Sequence, residues 1–151
     1  MGAISYKDVA DYFLAFANST GDLVSNLRLQ KLVYYAQAWS LVWDEKPLFQ
    51  EKIEAWANGP VVRELFEAHK GQFIVVKFRS GNPDKLNETV KETIDAVLDY
   101  YGDKSSQWLS DLTHNEEPWK KAREGLREDE RGHREITLAN MEEYYSSLSD
   151  E

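Results

Sequence analysis

Apolar residues recur along this chain mostly at helical spacing, broken by short polar turns. Ser5 followed by Asp8 reads as a helix cap with an acidic first turn, and Val9, Phe13 and Phe16 continue it until Asn18 to Gly21. A second helix opens at Ser25 or Asn26 and runs to Trp43. From Leu29 to Trp43, 11 of 15 residues are apolar or aromatic, the exceptions being Gln30, Lys31, Gln37 and Ser40. A helix apolar nearly all round belongs in the middle of its domain, so this one is the predicted central post.

The next stretch is punctuated differently. Asp44 to Pro47 is a turn, and the alternation in Lys52 to Ala57 predicts a short strand. Asn58-Gly59-Pro60 is a sharp break, with Pro60 placed in the first turn of a helix over Val61 to Lys70 that Gly71 ends. Gln72 to Phe78 is strand-like but short. Ser80 to Pro83 turns the chain into the cleanest helical pattern, Asp84 to Tyr101, with Leu86, Val90, Ile94, Val97, Leu98 and Tyr101 on one face and Gly102 as its stop. Ser105 caps a short helix through Leu112. Another begins around Trp119 and runs to Leu126, and residues 116–135 carry dense charge of both signs, the pattern of a solvated face or loop. A last helix starts near Thr137 and places Met141, Tyr144, Tyr145 and Leu148 together. The prediction is a mainly α fold: one domain over residues 1–151, a compact helical bundle around the central apolar helix, with at most a two-stranded β element.

Composition narrows the function classes. The 151 residues contain no cysteine, which excludes a disulfide framework, a thiolate metal site and a cysteine nucleophile. No apolar run approaches the ~20 residues a membrane helix needs, and Met1 to Asp8 lacks the pattern of a secretory leader, which together predict a cytoplasmic protein with no membrane partner. Net charge is −9, with 18 basic and 27 acidic side chains, and most of the excess falls after residue 75. That balance makes DNA a poor partner and a basic protein a natural one.

Catalytic patterns are thin: no glycine-rich phosphate loop, no His-Glu-x-x-His and no Gly-x-Ser-x-Gly occurs. The expectation is therefore no catalytic residue, no metal and no cofactor. His114 with Glu116 or Glu117 leaves open a small metal-dependent hydrolase, although no second histidine stands at helical spacing from it. Lys31 is the one ionisable group placed where burial can perturb it; its alternative is a packed stem with the ammonium reaching water. Aromatic residues are more numerous than a small core requires, and Tyr and Trp are typical of interfaces. On the central helix, Gln30, Lys31, Tyr34, Tyr35 and Gln37 cluster at helical spacing. They form either an internal hydrogen-bonded network or a surface presented to a partner.

Three segments taken together carry a resemblance: Leu29 to Trp39 (LQKLVYYAQAW), Glu54 to Val62 (EAWANGPVV) and Leu109 to Trp119 (LSDLTHNEEPW). In order and spacing they resemble the Panacea domain, the SocA-like antitoxin domain of bacterial and prophage toxin–antitoxin operons, over roughly residues 5–145. The resemblance implies a cytoplasmic, non-enzymatic antitoxin that neutralises a cognate protein toxin by direct binding. It also implies an alternative, in which the protein is an adaptor delivering its toxin to a Clp-type protease. Some members carry an added DNA-binding segment, for which this chain has no room outside the shared domain. The motif residues Trp39, Trp56, Gly59, Pro60, Thr113, His114, Pro118 and Trp119 read as structural, and Gln30, Lys31, Tyr34, Tyr35 and Gln37 are the candidate partner-binding residues.

Overall fold

Ser5 opens the first helix with a reciprocal cap. In the computed structural model, which describes residues 4–21, 24–71, 74–75 and 81–149, its side chain accepts from the Lys7 N–H while its own N–H donates to Asp8 Oδ2 at 2.9 Å. Helix α1 (Tyr6–Ser19) follows. Its buried face centres on Ala10, Phe13, Leu14 and Ala17; Phe16 lies at the edge of that face and is half exposed. Ser25 caps the central helix α2 (Asn26–Trp43) by accepting from the Arg28 N–H at 3.1 Å.

Helix α2 is buried without interruption from Leu29 to Ala38. Around it pack α1, the short α3 (Arg63–Ala68), α4 (Glu88–Tyr101), α5 (Ser106–His114) and α7 (Leu138–Ser149), with α6 (Glu117–Ala122) closing against α7. Helices α1, α2, α4 and α7 each contribute two or more buried apolar side chains to one core, to which α3 adds Leu65, α5 adds Leu109 and α6 adds Trp119. Leu29 and Val33 are wholly enclosed, so truncating Leu29 to alanine costs about 2–5 kcal/mol.

The β structure exceeds the two-stranded element expected. Strands β1 (Val24–Ser25) and β4 (Ile74–Val75) form one antiparallel pair, and β2 (Ile53–Trp56) lies between β3 (Gly59–Val62) and β5 (Glu135–Ile136) in a three-stranded antiparallel sheet. Strand β5 emerges from the end of the charge-dense stretch because Ile136 buries against Ile53 while Glu135 stays exposed. The remainder of the strand-like run 72–78 lies outside the described residues.

Pro60 is in a strand, not in a helix. It pairs with Ala55, whose N–H donates to Arg134 on the opposite side of β2 and whose carbonyl accepts from Arg123. The Ala55–Pro60 pair is therefore one that exchanges no ladder bonds, and the missing proline N–H costs nothing there. Helix α3 consequently starts at Arg63, two residues after the expected Val61. Two further helices start differently from the hydropathy reading. Pro83–Lys85 forms a separate 3-10 turn and Asn87 caps α4 through the Val90 N–H. Helix α6 begins at Glu117, with Pro118 in its first turn, and ends at Ala122.

Candidate functional site

The five candidate partner-binding residues of α2 point inward. Gln30, Lys31, Tyr34, Tyr35 and Gln37 are each at most 1% exposed. Gln30 clamps Val62, accepting from its N–H at 2.9 Å and donating to its carbonyl at 3.3 Å. Gln37 does the same for the chain after the 44–47 turn, accepting from Leu48 N–H at 2.7 Å and donating to the Phe49 carbonyl at 2.9 Å. A side-chain amide matches a backbone amide in donors and acceptors, which is why these two positions tolerate glutamine in a core. In this conformation none of the five side chains offers a partner any surface.

Tyr34 and Tyr35 belong to a buried phenol–carboxylate network. Tyr35 and Tyr145 both donate to Glu116 Oε1, at 2.7 and 2.8 Å, and the Tyr34 and Tyr145 hydroxyls lie 3.0 Å apart. Burial raises the Glu116 carboxyl above its ordinary range, and the two phenol donors only partly offset this. The same burial, with Glu116 beside them, pushes the Tyr35 and Tyr145 hydroxyls well up. Glu116 thus ties α2 to α7 from the α5–α6 junction. Its spacing next to His114 could not reveal this, because both partners are distant in sequence.

Lys31 differs from its neighbours. Its Nζ has no hydrogen-bond partner among the described residues, and burial lowers its pKa to about 8. Gly59, at φ +120°, passes directly over it: a Cβ there would lie 2.6 Å from Lys31 Cε and 3.1 Å from Thr113 Oγ1. The other motif residues lock this junction. Trp119 Nε1 donates to the Trp56 carbonyl at 2.8 Å, and the His114 ring stacks on Trp119 with centroids 4.2 Å apart. His114 also bonds the Ala57 backbone, and burial together with the nearby Lys31 lowers its pKa. Ser110 donates to the Asn58 carbonyl at 3.0 Å. Trp56, Gly59, Thr113, His114 and Trp119 therefore hold the β2–β3 hairpin against α5 and α6, with Pro60 within strand β3 and Pro118 in the first turn of α6. Among the described residues, no group of three or more histidine and carboxylate side chains is placed to hold a metal.

The surface feature that stands out is aromatic. From the buried Tyr35, rings step outward: Tyr35 stacks on Tyr101 at 4.1 Å, Trp39 Nε1 donates to the Tyr101 hydroxyl at 3.0 Å, and Trp39 stacks on Trp43 at 4.9 Å. Tyr145 touches Trp39 at 5.5 Å and Tyr144 at 5.0 Å. The ladder ends on rings left in water, Trp43 at 47% and Tyr100 at 65% exposed, with the half-buried Trp39 and Tyr144 between elements. Leu148, also exposed, extends the α7 side. Acidic residues outnumber basic ones on two of the helices that carry these rings. Helix α4 carries Glu88, Glu92, Asp95 and Asp99 against Lys91 alone, and α7 carries Glu142 and Glu143 with no basic residue. The helical pattern of α4 marks the inward Tyr101 but carries no signal for Tyr100 beside it.

Comparison with known proteins agrees with the motifs. The family model described as Antitoxin SocA-like, Panacea domain, matches residues 29–120. A relative from Caulobacter vibrioides (strain NA1000 / CB15N), named Antitoxin SocA, is 30% identical over 131 residues, covering 78% of this chain and 69% of the relative. No solved structure matches the chain. Among the described residues no helix is long and apolar enough to cross a membrane.

Proposed function

We propose, for a chain that belongs to the antitoxin SocA-like Panacea domain family, that its antitoxin action is direct binding: it seats a cognate protein toxin on the aromatic face of α2, α4 and α7 and occludes it. The observation that carries this reading is the exposure of Trp43 and Tyr100 at the end of a ring ladder anchored in the core. Large aromatic side chains left in water lose apolar surface to solvent, and a partner recovers it at about 25 cal/mol per Å². Their rigidity also lowers the ordering cost of binding, which makes such rings the usual energetic anchors of an interface. A toxin forming a standard interface of about 1,600 Å² in total would cover about 800 Å² of this protein.

The partner is a basic protein. The six carboxylates on α4 and α7 against one lysine, within a chain of net charge −9, steer a cation-rich surface into place and raise the association rate at low salt. Binding, not catalysis, is the mode of action this arrangement serves. The test is growth and purification. The gene adjacent to this one, expressed alone, should arrest growth; co-expression of this protein should restore it, and the two should co-purify. Inhibition of the toxin by purified protein, with no protease present, separates occlusion from delivery to a Clp-type protease. A harmless neighbour that forms no complex refutes the proposal.

A further inference from the structure

A second surface lies on the opposite chemistry. Two adjoining hollows of about 300 and 410 Å³ share Trp56, Asn58 and Phe66 as walls, and their size is that of a site for several atoms of ligand rather than a packing gap. Three contacts fix the Trp56 ring: its Nε1 donates to Glu54 at 2.8 Å, Phe66 meets it edge-on at 4.9 Å, and His133 meets it at 5.4 Å and 90°. Leu27, 46% exposed, continues the apolar floor.

The rim is cationic in an acidic protein. Among the described residues, neither hollow has an aspartate or glutamate in its wall, although the chain has 27 of them. Lys70 and Arg131 line the larger hollow beside His133, and neither Lys70 nor Arg131 has an ion-pair partner among the described residues. Nearby acid is already engaged, since Glu54 binds Arg63 at 3.0 Å and lies 3.7 Å from His133. One more group in the wall lacks its complement. Asn26 Oδ1 is buried and accepts no hydrogen bond among the described residues, while its amide donates to the His69 carbonyl.

From this geometry we infer that the Trp56 cleft is a docking site for an extended acidic peptide segment of a partner protein. One apolar side chain of the segment sits on Trp56 and Phe66, and its carboxylates face Lys70 and Arg131. The site is separate from the aromatic face of α2, α4 and α7, and its charge selects the opposite kind of partner. A protein with two such surfaces can hold a basic and an acidic polypeptide at once.

The experiment is fluorescence anisotropy on the full chain with three labelled probes: a short peptide of aspartates and glutamates around one leucine, the same peptide with lysines for the acids, and a single-stranded RNA of similar length. The acidic peptide should bind, weaken tenfold or more as salt rises from 50 to 500 mM, and lose at least tenfold in the Lys70→Glu, Arg131→Glu double variant. Both substituted side chains are exposed, so circular dichroism and the melting temperature should not change. Toxin binding should be unaffected by the same double variant, which keeps this result distinct from that of the antitoxin test. Failure of the acidic peptide to bind, equal binding of the lysine peptide, tighter binding of the RNA, or an unchanged affinity in the double variant would each overturn the inference.

Discussion

Replacing Lys31 with methionine keeps an unbranched stem of similar length while removing a charge that nothing in the core receives. The magnitude follows from the structure. Full burial takes the lysine from an ordinary 10.5 to about 8, and at about 1.4 kcal/mol per factor of ten the folded state carries a penalty of ~3 kcal/mol for holding the proton. The sign is that of a depressed lysine. Below pH 8 both folded and unfolded chains are protonated there and the whole penalty stands. Between about 8 and 10.5 the unfolded chain binds more protons than the folded one, so stability rises with pH; above 10.5 the penalty is gone. Lys31→Met should therefore raise stability at pH 7 by about 2–3 kcal/mol and remove the upward slope between pH 8 and 10. Urea unfolding of wild type and variant at half-unit intervals from pH 6.5 to 10 measures both effects. Tyr34, Tyr35 and Tyr145, whose hydroxyls are raised, enter only above pH 10. A variant less stable than wild type at pH 7, or a wild-type curve flat from pH 8 to 10, refutes the reasoning.

Other predictions concern single contacts. Glu116→Ala leaves the Tyr35 and Tyr145 hydroxyls without their acceptor and should cost about 3 kcal/mol in chemical denaturation, whereas Glu116→Gln, which keeps the shared oxygen, should cost less than about 1. Gly59→Ala meets both a positive φ and Lys31 Cε; it should lower stability by about 2–3 kcal/mol, read from the denaturation midpoint. Lys31→Glu puts an unpaired carboxylate in the same enclosed space and should abolish the cooperative melting transition seen by circular dichroism.

Helix positions were the legible part of the fold, because their signals are local. The Ser5–Asp8 cap, the Ser25 cap and the unbroken apolar run of α2 need no knowledge of distant segments. What sequence spacing hid depends on contacts between remote parts of the chain. Pro60 reads as a helix start until the register with Ala55 and the outward bonds of that residue are known. Ile136 looks isolated within a charged stretch until Ile53 supplies its partner. The polar group on α2 is the sharpest case. Helical spacing correctly put Gln30, Lys31, Tyr34, Tyr35 and Gln37 near one another, but it carries no information on Val62, Phe49, Glu116 and Tyr145, which satisfy four of them inside. Once those are absorbed, the candidate surface shifts to Trp43 and Tyr100, which sit at the solvent edge of the same aromatic ladder.

Titration calorimetry of the purified protein against its purified cognate toxin, comparing wild type with the Trp43→Ala, Tyr100→Ala double variant, tests direct binding through that face most directly. Both rings are exposed at the surface, so the double variant should melt within a few degrees of wild type. Wild type should form a stable complex, and the double variant should bind at least a hundredfold more weakly, about 2.7 kcal/mol. Equal affinity for the two proteins, or no complex with either, would contradict the account.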